Sequence, residues 1–323
     1  MKKRITIILL SFVVLILFFT IIINVFKKEQ LLNKNKLNIV VTLYPEYDFV
    51  KAIVGDRAEV TQLLSPGVEA HTYEPSVQDR IKIENADMFI YTSDSMEPWA
   101  RSIINSTQNY KMKVIDCSGQ IEMINSEEFM EEYGLLEEHD HKTETNENHE
   151  HELDGHIWMD PQNAIKMIDT ILVKLVEIDK ENAEFYIENA HNYKERLAEL
   201  DSRIESQLQE AHVDKLVFGG EFAYAYFCRR YNIKVVSCYS ACGEGAEPSV
   251  QDIKDVIDFI NNNKIDKVFY EELSEGKVAQ MLSEETSAKP LVFNTIHNVS
   301  KTEFENGTNY ISIMEENLKS IIQ

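Results

Sequence analysis

Residues 37–64 read "LNIVVTLYPEYDFVKAIVGDRAEVTQLL". The apolar, β-branched runs at 37–43 and 58–64 are too short for helices and read as strands. Between them, residues 45–54 carry apolar positions at helical spacing. A strand, a helix and a second strand in so short a span predict a βαβ unit with parallel strands.

The same alternation extends in both directions. Strands are predicted at 87–93 and 113–116, with a helix at 76–86. A second series follows the middle of the chain, with strands at 215–220, 234–239, 266–272 and 289–295. Helices at 222–231, 249–263, 276–287 and 308–322 separate or follow them. The fold class is therefore α/β, with two lobes, each a mainly parallel sheet flanked by helices. From about Gln162 to His212 runs a nearly loop-free helical tract with a break near residues 178–182, where Asp179 can cap the next segment. Such a tract is a rigid connector, unlike a Gly/Ser linker. The organisation expected is an N-terminal lobe over 37–161, a connector over 162–213 and a C-terminal lobe over 214–323.

Ahead of the lobes, Ile5 to Ile23 is almost wholly apolar and follows Lys2, Lys3 and Arg4. That length approaches the ~20 residues a helix needs to cross a bilayer. With no small-residue cleavage pattern, residues 1–28 read as an uncleaved membrane anchor, a cleaved signal being the alternative. Residues 29–36 form a polar tether. Either reading places the lobes outside the cytoplasm. Of the four cysteines, Cys238 and Cys242 could pair there, although spacing alone fixes no connectivity.

The formal net charge is −23. So acidic a chain is repelled by nucleic acid and suits cations. Between residues 137 and 155, His139, His141, His149 and His151 alternate with carboxylates in a segment without apolar periodicity. This composition binds transition metals loosely, as an auxiliary site on a loop.

The hexapeptide EPSVQD occurs twice, in "HTYEPSVQD" (71–79) and "EGAEPSVQD" (244–252). Ser76 and Ser249 each stand three residues before an aspartate, the spacing of a capping box that opens a helix. That accounts for the repeat but not for His71, which precedes only the first copy. Three further residues follow or adjoin the ends of predicted strands: His156 in "DGHIWMDP", Glu221 after "KLVFGG" and His297 after "KPLVFNTI". Open α/β sheets gather ligands beyond the carboxyl ends of their strands. Three imidazoles and one carboxylate suit Zn²⁺. Taken one at a time, each has a bland alternative as a surface histidine or a helix-terminal acid; His191 and His212 are read as structural, and Trp99 and Trp158 as core or cleft wall.

From Leu37 to the C-terminus the chain resembles the substrate-binding proteins of zinc- and manganese-importing ABC transporters. The matching stretches are "VVTLYPEYDFVKAIVGD", "LLSPGVEAHTYEPSVQD", "ADMFIYTSDSMEPW", "GHIWMDPQNA", "AYAYFCRRYNI" and "EEL…KVAQMLSEETSAKPLVFN", in the expected order. The resemblance implies metal ligation by His71, His156, Glu221 and His297. It departs from the pattern in two places, since zinc-type members carry histidine where Glu221 stands and an acid where His297 stands. It also lacks a lipid-attachment cysteine, for which the N-terminal apolar segment would substitute. The function implied is a monomeric, non-enzymatic receptor that captures Zn²⁺ and delivers it to an ABC permease. Mn²⁺ or Fe²⁺ is the alternative cargo; a zinc metallohydrolase and a metal-dependent adhesin are the competing classes, although no H-E-x-x-H motif is present. Because imidazoles must be neutral to bind metal, affinity is expected to fall below about pH 6.5.

Overall fold

A computed structural model of the 323-residue chain describes residues 36–136, 153–239 and 248–323. The N-terminal apolar segment, most of the tether, the four loop histidines and Cys242 lie outside the described residues. No helix among the described residues is long and apolar enough to cross a membrane.

The first sheet contains β1 (Leu37–Val41), β2 (Ala58–Gln62), β3 (Met88–Tyr91) and β4 (Lys113–Asp116), all parallel in the order β2-β1-β3-β4. The second repeats that order one lobe later: β5 (Lys215–Phe218), β6 (Lys234–Ser237), β7 (Lys267–Tyr270) and β8 (Lys289–Val292) run β6-β5-β7-β8. The crossovers include α1 (Tyr44–Val54), α2 (Val77–Glu84) and α3 (Ala100–Ser106) in the first lobe. After α4 (Ser126–Tyr133) come the long helices α5 (Pro161–Ile178) and α6 (Ala183–Glu210). The second lobe carries α7 (Ala225–Tyr231), α8 (Val250–Asn263), α9 (Lys277–Glu285), α10 (Lys301–Glu305) and α11 (Tyr310–Ile322).

The repeated hexapeptide does what its spacing predicts. Ser76 accepts the Asp79 amide and Asp79 accepts the Ser76 amide at the start of α2; Ser249 and Asp252 do the same at α8. Each capping box satisfies two orphan amides of a helix terminus. Asp179 bears out its expected role only in part: the N-cap of the following helix is Asn182, whose backbone N–H Asp179 accepts at 3.3 Å. It ends α5, and its carboxylate accepts from the Asn182 side chain at 2.8 Å and from the Tyr186 hydroxyl at 2.7 Å, while Asn182 precedes α6.

At 28 residues, α6 is roughly 42 Å long at ~1.5 Å per residue. Its buried face, from Tyr186 through Leu197 and Leu200 to Leu208, packs along α5 and α1. The largest core is shared: Val41, Ile90 and Trp158 belong to the same apolar cluster as Leu197, Phe218, Phe293 and Met314. Arg230 of α7 reinforces the junction, donating to both oxygens of the buried Asp201 carboxylate at 3.0 and 2.6 Å. Cys117, Cys228 and Cys238 are buried; burial pushes the Cys238 thiol up to about 12.

Candidate metal centre

Three histidines far apart in sequence meet where the carboxyl ends of the two sheets face each other. His71 sits on the loop between β2 and α2, His156 just before α5 and His297 after β8. One nitrogen from each lies within 4.8 Å of the others, and this is the group of metal-competent side chains found among the described residues. Ring centroids are separated by 4.7 Å for His71–His297 and His156–His297 and by 5.3 Å for His71–His156.

Local sequence explains how each ring is aimed. Asp154, two residues before His156, accepts both the His156 backbone N–H at 2.8 Å and its Nδ1–H at 2.6 Å. Gly155 between them is required, because a Cβ there would lie 2.9 Å from Met96 Cβ and 3.1 Å from the Met96 backbone. Thr295 stands in the same relation to His297, its hydroxyl meeting Nδ1. The intervening Ile296 adopts φ 63°, a conformation that a β-branched residue rarely tolerates. The Asn294 side chain holds that turn by accepting the Ile296 amide at 2.7 Å. Such strain, about 1–3 kcal/mol, persists where surrounding structure imposes it. On the third loop, Glu69 accepts the amides of Ala70 and His71 at 2.7 and 3.1 Å. Asn298 fastens that loop to the second lobe by donating to the carbonyls of Ser65 and Val68 at 2.7 and 2.9 Å.

With Nδ1 of His156 engaged as a donor to a carboxylate, its Nε2 carries a lone pair. That atom lies 3.4 Å from His71 Nε2. His297 Nε2 is buried and has no hydrogen-bond partner. Tetrahedral Zn²⁺, with bonds of about 2.0–2.1 Å to imidazole nitrogen, sets its donor atoms roughly 3.3–3.4 Å apart. Trp158 packs its ring 5.6 Å from His156 and 5.3 Å from His297 and donates Nε1–H to the Thr295 carbonyl at 2.8 Å, so it is a wall of the site. Trp99 instead packs against Tyr73 and Phe89.

Glu221 is placed differently from the imidazoles. Its carboxylate is not among the mutually close donor atoms; it lines a narrow cavity with Glu69, Glu271, Glu272 and His297. Nor does it open a helix. Residues 222–224 lie outside any helix and α7 begins at Ala225, with Phe222 and Tyr224 buried against Phe218. Its backbone N–H donates to Glu271 at 2.9 Å, a contact for which Gly220 leaves room, since a Cβ there would overlap the Glu271 carboxylate. His191 is exposed beside Glu195, and His212 follows the end of α6 at φ 54°.

The electrostatics correct one expectation. Burial, followed by the positive charge that His156 can carry, pushes His71 down to about 4. Burial, followed by the positive charges that His156 and His71 can carry, holds His297 well below the ordinary 6.5. Two of the imidazoles therefore remain neutral far below pH 6.5, so proton competition at them begins much lower than unperturbed histidines imply. Burial also pushes the Glu272 carboxyl up to about 7, against the lowering effect of two bonds from Thr295. Sequence motifs do not single out Asp154, Thr295, Glu69 or Asn298; the shared placement of Asp154 and Thr295 two residues before their histidines is the signal that could find two of them.

The family described as zinc-uptake complex component A, periplasmic (ZnuA), matches residues 39–323. The zinc-binding lipoprotein AdcA of Streptococcus pneumoniae R6 is 35% identical over 288 residues, covering 89% of this chain and 56% of AdcA. The high-affinity zinc uptake system protein ZnuA of Bacillus subtilis 168 is 32% identical over 287 residues, covering 89% of this chain and 87% of that protein. The chain thus spans little more than half of AdcA. The crystal structure of the Zn(II)-bound ZnuA-like domain of S. pneumoniae AdcA superposes with a TM-score of 0.73 at 31% identity, over 90% of this chain and 98% of that domain.

Proposed function

The chain belongs to the ZnuA family of zinc-uptake components, and on that premise we propose that it is an extracytoplasmic receptor that captures Zn²⁺ between its lobes and delivers it to an ABC permease. The observation that carries the reading is the convergence of three imidazoles with a 3.4 Å Nε2 to Nε2 separation and an unpartnered, buried Nε2 on His297. In this reading His71, His156 and His297 are ligands, and Glu221 supplies the fourth donor by turning its carboxylate from the adjoining cavity toward the ion. Three imidazoles and one carboxylate close a tetrahedral shell and leave no position for a reacting water, which fits capture rather than hydrolysis. The chain works as a monomer, held to the membrane by its N-terminal segment; the histidines at 139, 141, 149 and 151 add weaker metal sites.

The carboxylates lining the adjoining cavity favour a second cargo, Mn²⁺, more than imidazoles alone would. Equilibrium dialysis of the purified protein with element analysis decides both points. One tightly held zinc per chain, lost when His71, His156 and His297 are replaced together by alanine, is expected. Zinc retained by that triple variant at full stoichiometry in the tight class would refute the site, and tighter retention of manganese than zinc would refute the cargo.

A further inference from the structure

Behind His297 stands a carboxylate that no sequence motif announces. Glu272, just after β7, accepts the Thr295 backbone N–H through Oε2 at 2.6 Å and meets the Thr295 hydroxyl through Oε1 at 2.7 Å. The same hydroxyl meets His297 Nδ1. We propose that Glu272, acting through Thr295, is a positioning residue that holds the proton of His297 on Nδ1 and so presents its Nε2 lone pair to the ion. The proposal rests on the zinc-receptor reading of the three imidazoles.

The directions of the bonds follow from counting protons. A backbone amide only donates, so Oε2 is an acceptor. The threonine hydroxyl has one proton; given to Oε1 of the carboxylate, it leaves the Oγ1 lone pairs to accept from His297 Nδ1–H. Nε2 is then bare, and it is the buried atom without a partner that faces the other imidazoles. The chain has one other arrangement, with the amide bond kept and the two hydroxyl bonds reversed: a proton on Oε1 donates to Oγ1, the hydroxyl donates to Nδ1, and the imidazole proton moves to Nε2, where it blocks a metal.

That alternative can be imposed. In Glu272→Gln the Thr295 amide still requires an oxygen at the Oε2 position, which leaves the NH₂ group facing Oγ1. The amide then donates, the hydroxyl turns to Nδ1, and His297 carries its proton on Nε2. A nearly isosteric change therefore closes one ligand. Partners of this kind are typically worth 10–100-fold in metal affinity.

The test uses the full chain labelled with ¹⁵N-histidine. Two-bond ¹⁵N–¹H correlations of the metal-free protein report the His297 tautomer, and chelator competition reports zinc affinity. Measured above about pH 8, where the Glu272 carboxyl is ionised, the native chain should show the Nδ1–H form. Glu272→Gln should show the Nε2–H form and bind zinc 10–100-fold more weakly, while Thr295→Ser, which keeps the hydroxyl, stays within threefold of native in affinity and keeps the tautomer. Thr295→Val should weaken zinc as Glu272→Gln does. A native Nε2–H tautomer overturns the proposal without any variant, and so does Glu272→Gln with native tautomer or with affinity within threefold. A native chain with the Nδ1–H form that binds no zinc would instead overturn the receptor reading, so the two failures are distinct.

Discussion

Replacing His71 with glutamine in the metal-free protein should alter the pH dependence of stability by a calculable amount. The imidazole is pushed from 6.5 in the unfolded chain down to about 4 in the fold, first by burial and then by His156. Between those values the unfolded chain binds more protons than the native one, so stability falls as pH falls. Each tenfold difference in proton affinity between the two states is worth about 1.36 kcal/mol. His71 therefore costs about 2.6 kcal/mol at about pH 4.5 but only about 0.2 kcal/mol at about pH 7. Glutamine does not titrate. Going from about pH 7 to about pH 4.5, the variant should therefore gain about 2.4 kcal/mol relative to the native chain.

Other buried groups pull the opposite way. Burial raises Glu46 to about 7 and Glu97 to about 8, with the Glu46 charge adding to the latter, and raises Glu272 to about 7. A carboxyl raised above its unfolded value costs stability when ionised, so acidification relieves that cost. These groups are present in both proteins and cancel in the difference. Urea unfolding with a chelator present, at the two pH values, gives the comparison directly. Parallel pH profiles for variant and native protein would refute the claim that the fold keeps His71 neutral, and with it the low onset of proton competition at that imidazole.

The other predictions concern the ligands and the junction between lobes. Asp154→Asn keeps an acceptor for His156 Nδ1–H but removes the charge; zinc affinity should drop 10–100-fold with stoichiometry unchanged, and an affinity within threefold of native would deny Asp154 an orienting role. Glu221→His should shift competition titrations further toward zinc over manganese by exchanging a hard oxygen for imidazole, whereas unchanged preference would place Glu221 outside the coordination shell. Arg230→Met strands the Asp201 carboxylate, which is 4% exposed, with only Gln162 and Tyr231 as donors. A loss of about 2–4 kcal/mol in urea unfolding is expected, and less than about 0.5 kcal/mol would show that the pair adds nothing to the junction.

Much of the fold is legible in the sequence because its signals are periodic or local. Each of the eight expected strands appears, β4 with the expected bounds and the other seven shortened at one or both ends, since β-branched runs between turn residues carry the signal along their whole length. Capping boxes at Ser76 and Ser249 are local chemistry and equally readable. Helices α3, α4 and α10 go unread: at seven, eight and five residues they show no period, and the capping box that Ser300 and Glu303 form at α10 is followed by no apolar repeat to mark it as a helix. The start of α7 departs from expectation for a different reason. Residues 222–224 could continue a helix, but burying Phe222 and Tyr224 against Phe218 overrides local preference. Asp179 shows the limit of spacing rules: it is not itself the N-cap of α6, but its carboxylate holds that terminus by accepting from Asn182, the N-cap residue, and from the Tyr186 hydroxyl.

Convergence of the histidines is legible from strand ends, but how firmly each is held follows only from packing. The two sheets share one core with α5 and α6, and cross-lobe bonds surround the site. Trp158 donates to Thr295, the Tyr310 hydroxyl donates to the Trp158 carbonyl at 2.6 Å, and the Tyr44 amide donates to the His297 carbonyl at 3.2 Å. Swinging the lobes wide would break these and expose apolar surface at about 25 cal/mol per Å². His156 and His297 are 3% and 7% exposed, while His71 is only partly covered and belongs to a loop outside any strand or helix. In the zinc-receptor proposal, the imidazole held least firmly is therefore His71. The other two would then be the fixed donors, and on that proposal an ion would enter or leave past residues 65–75, whose movement the Asn298 bonds to Ser65 and Val68 limit.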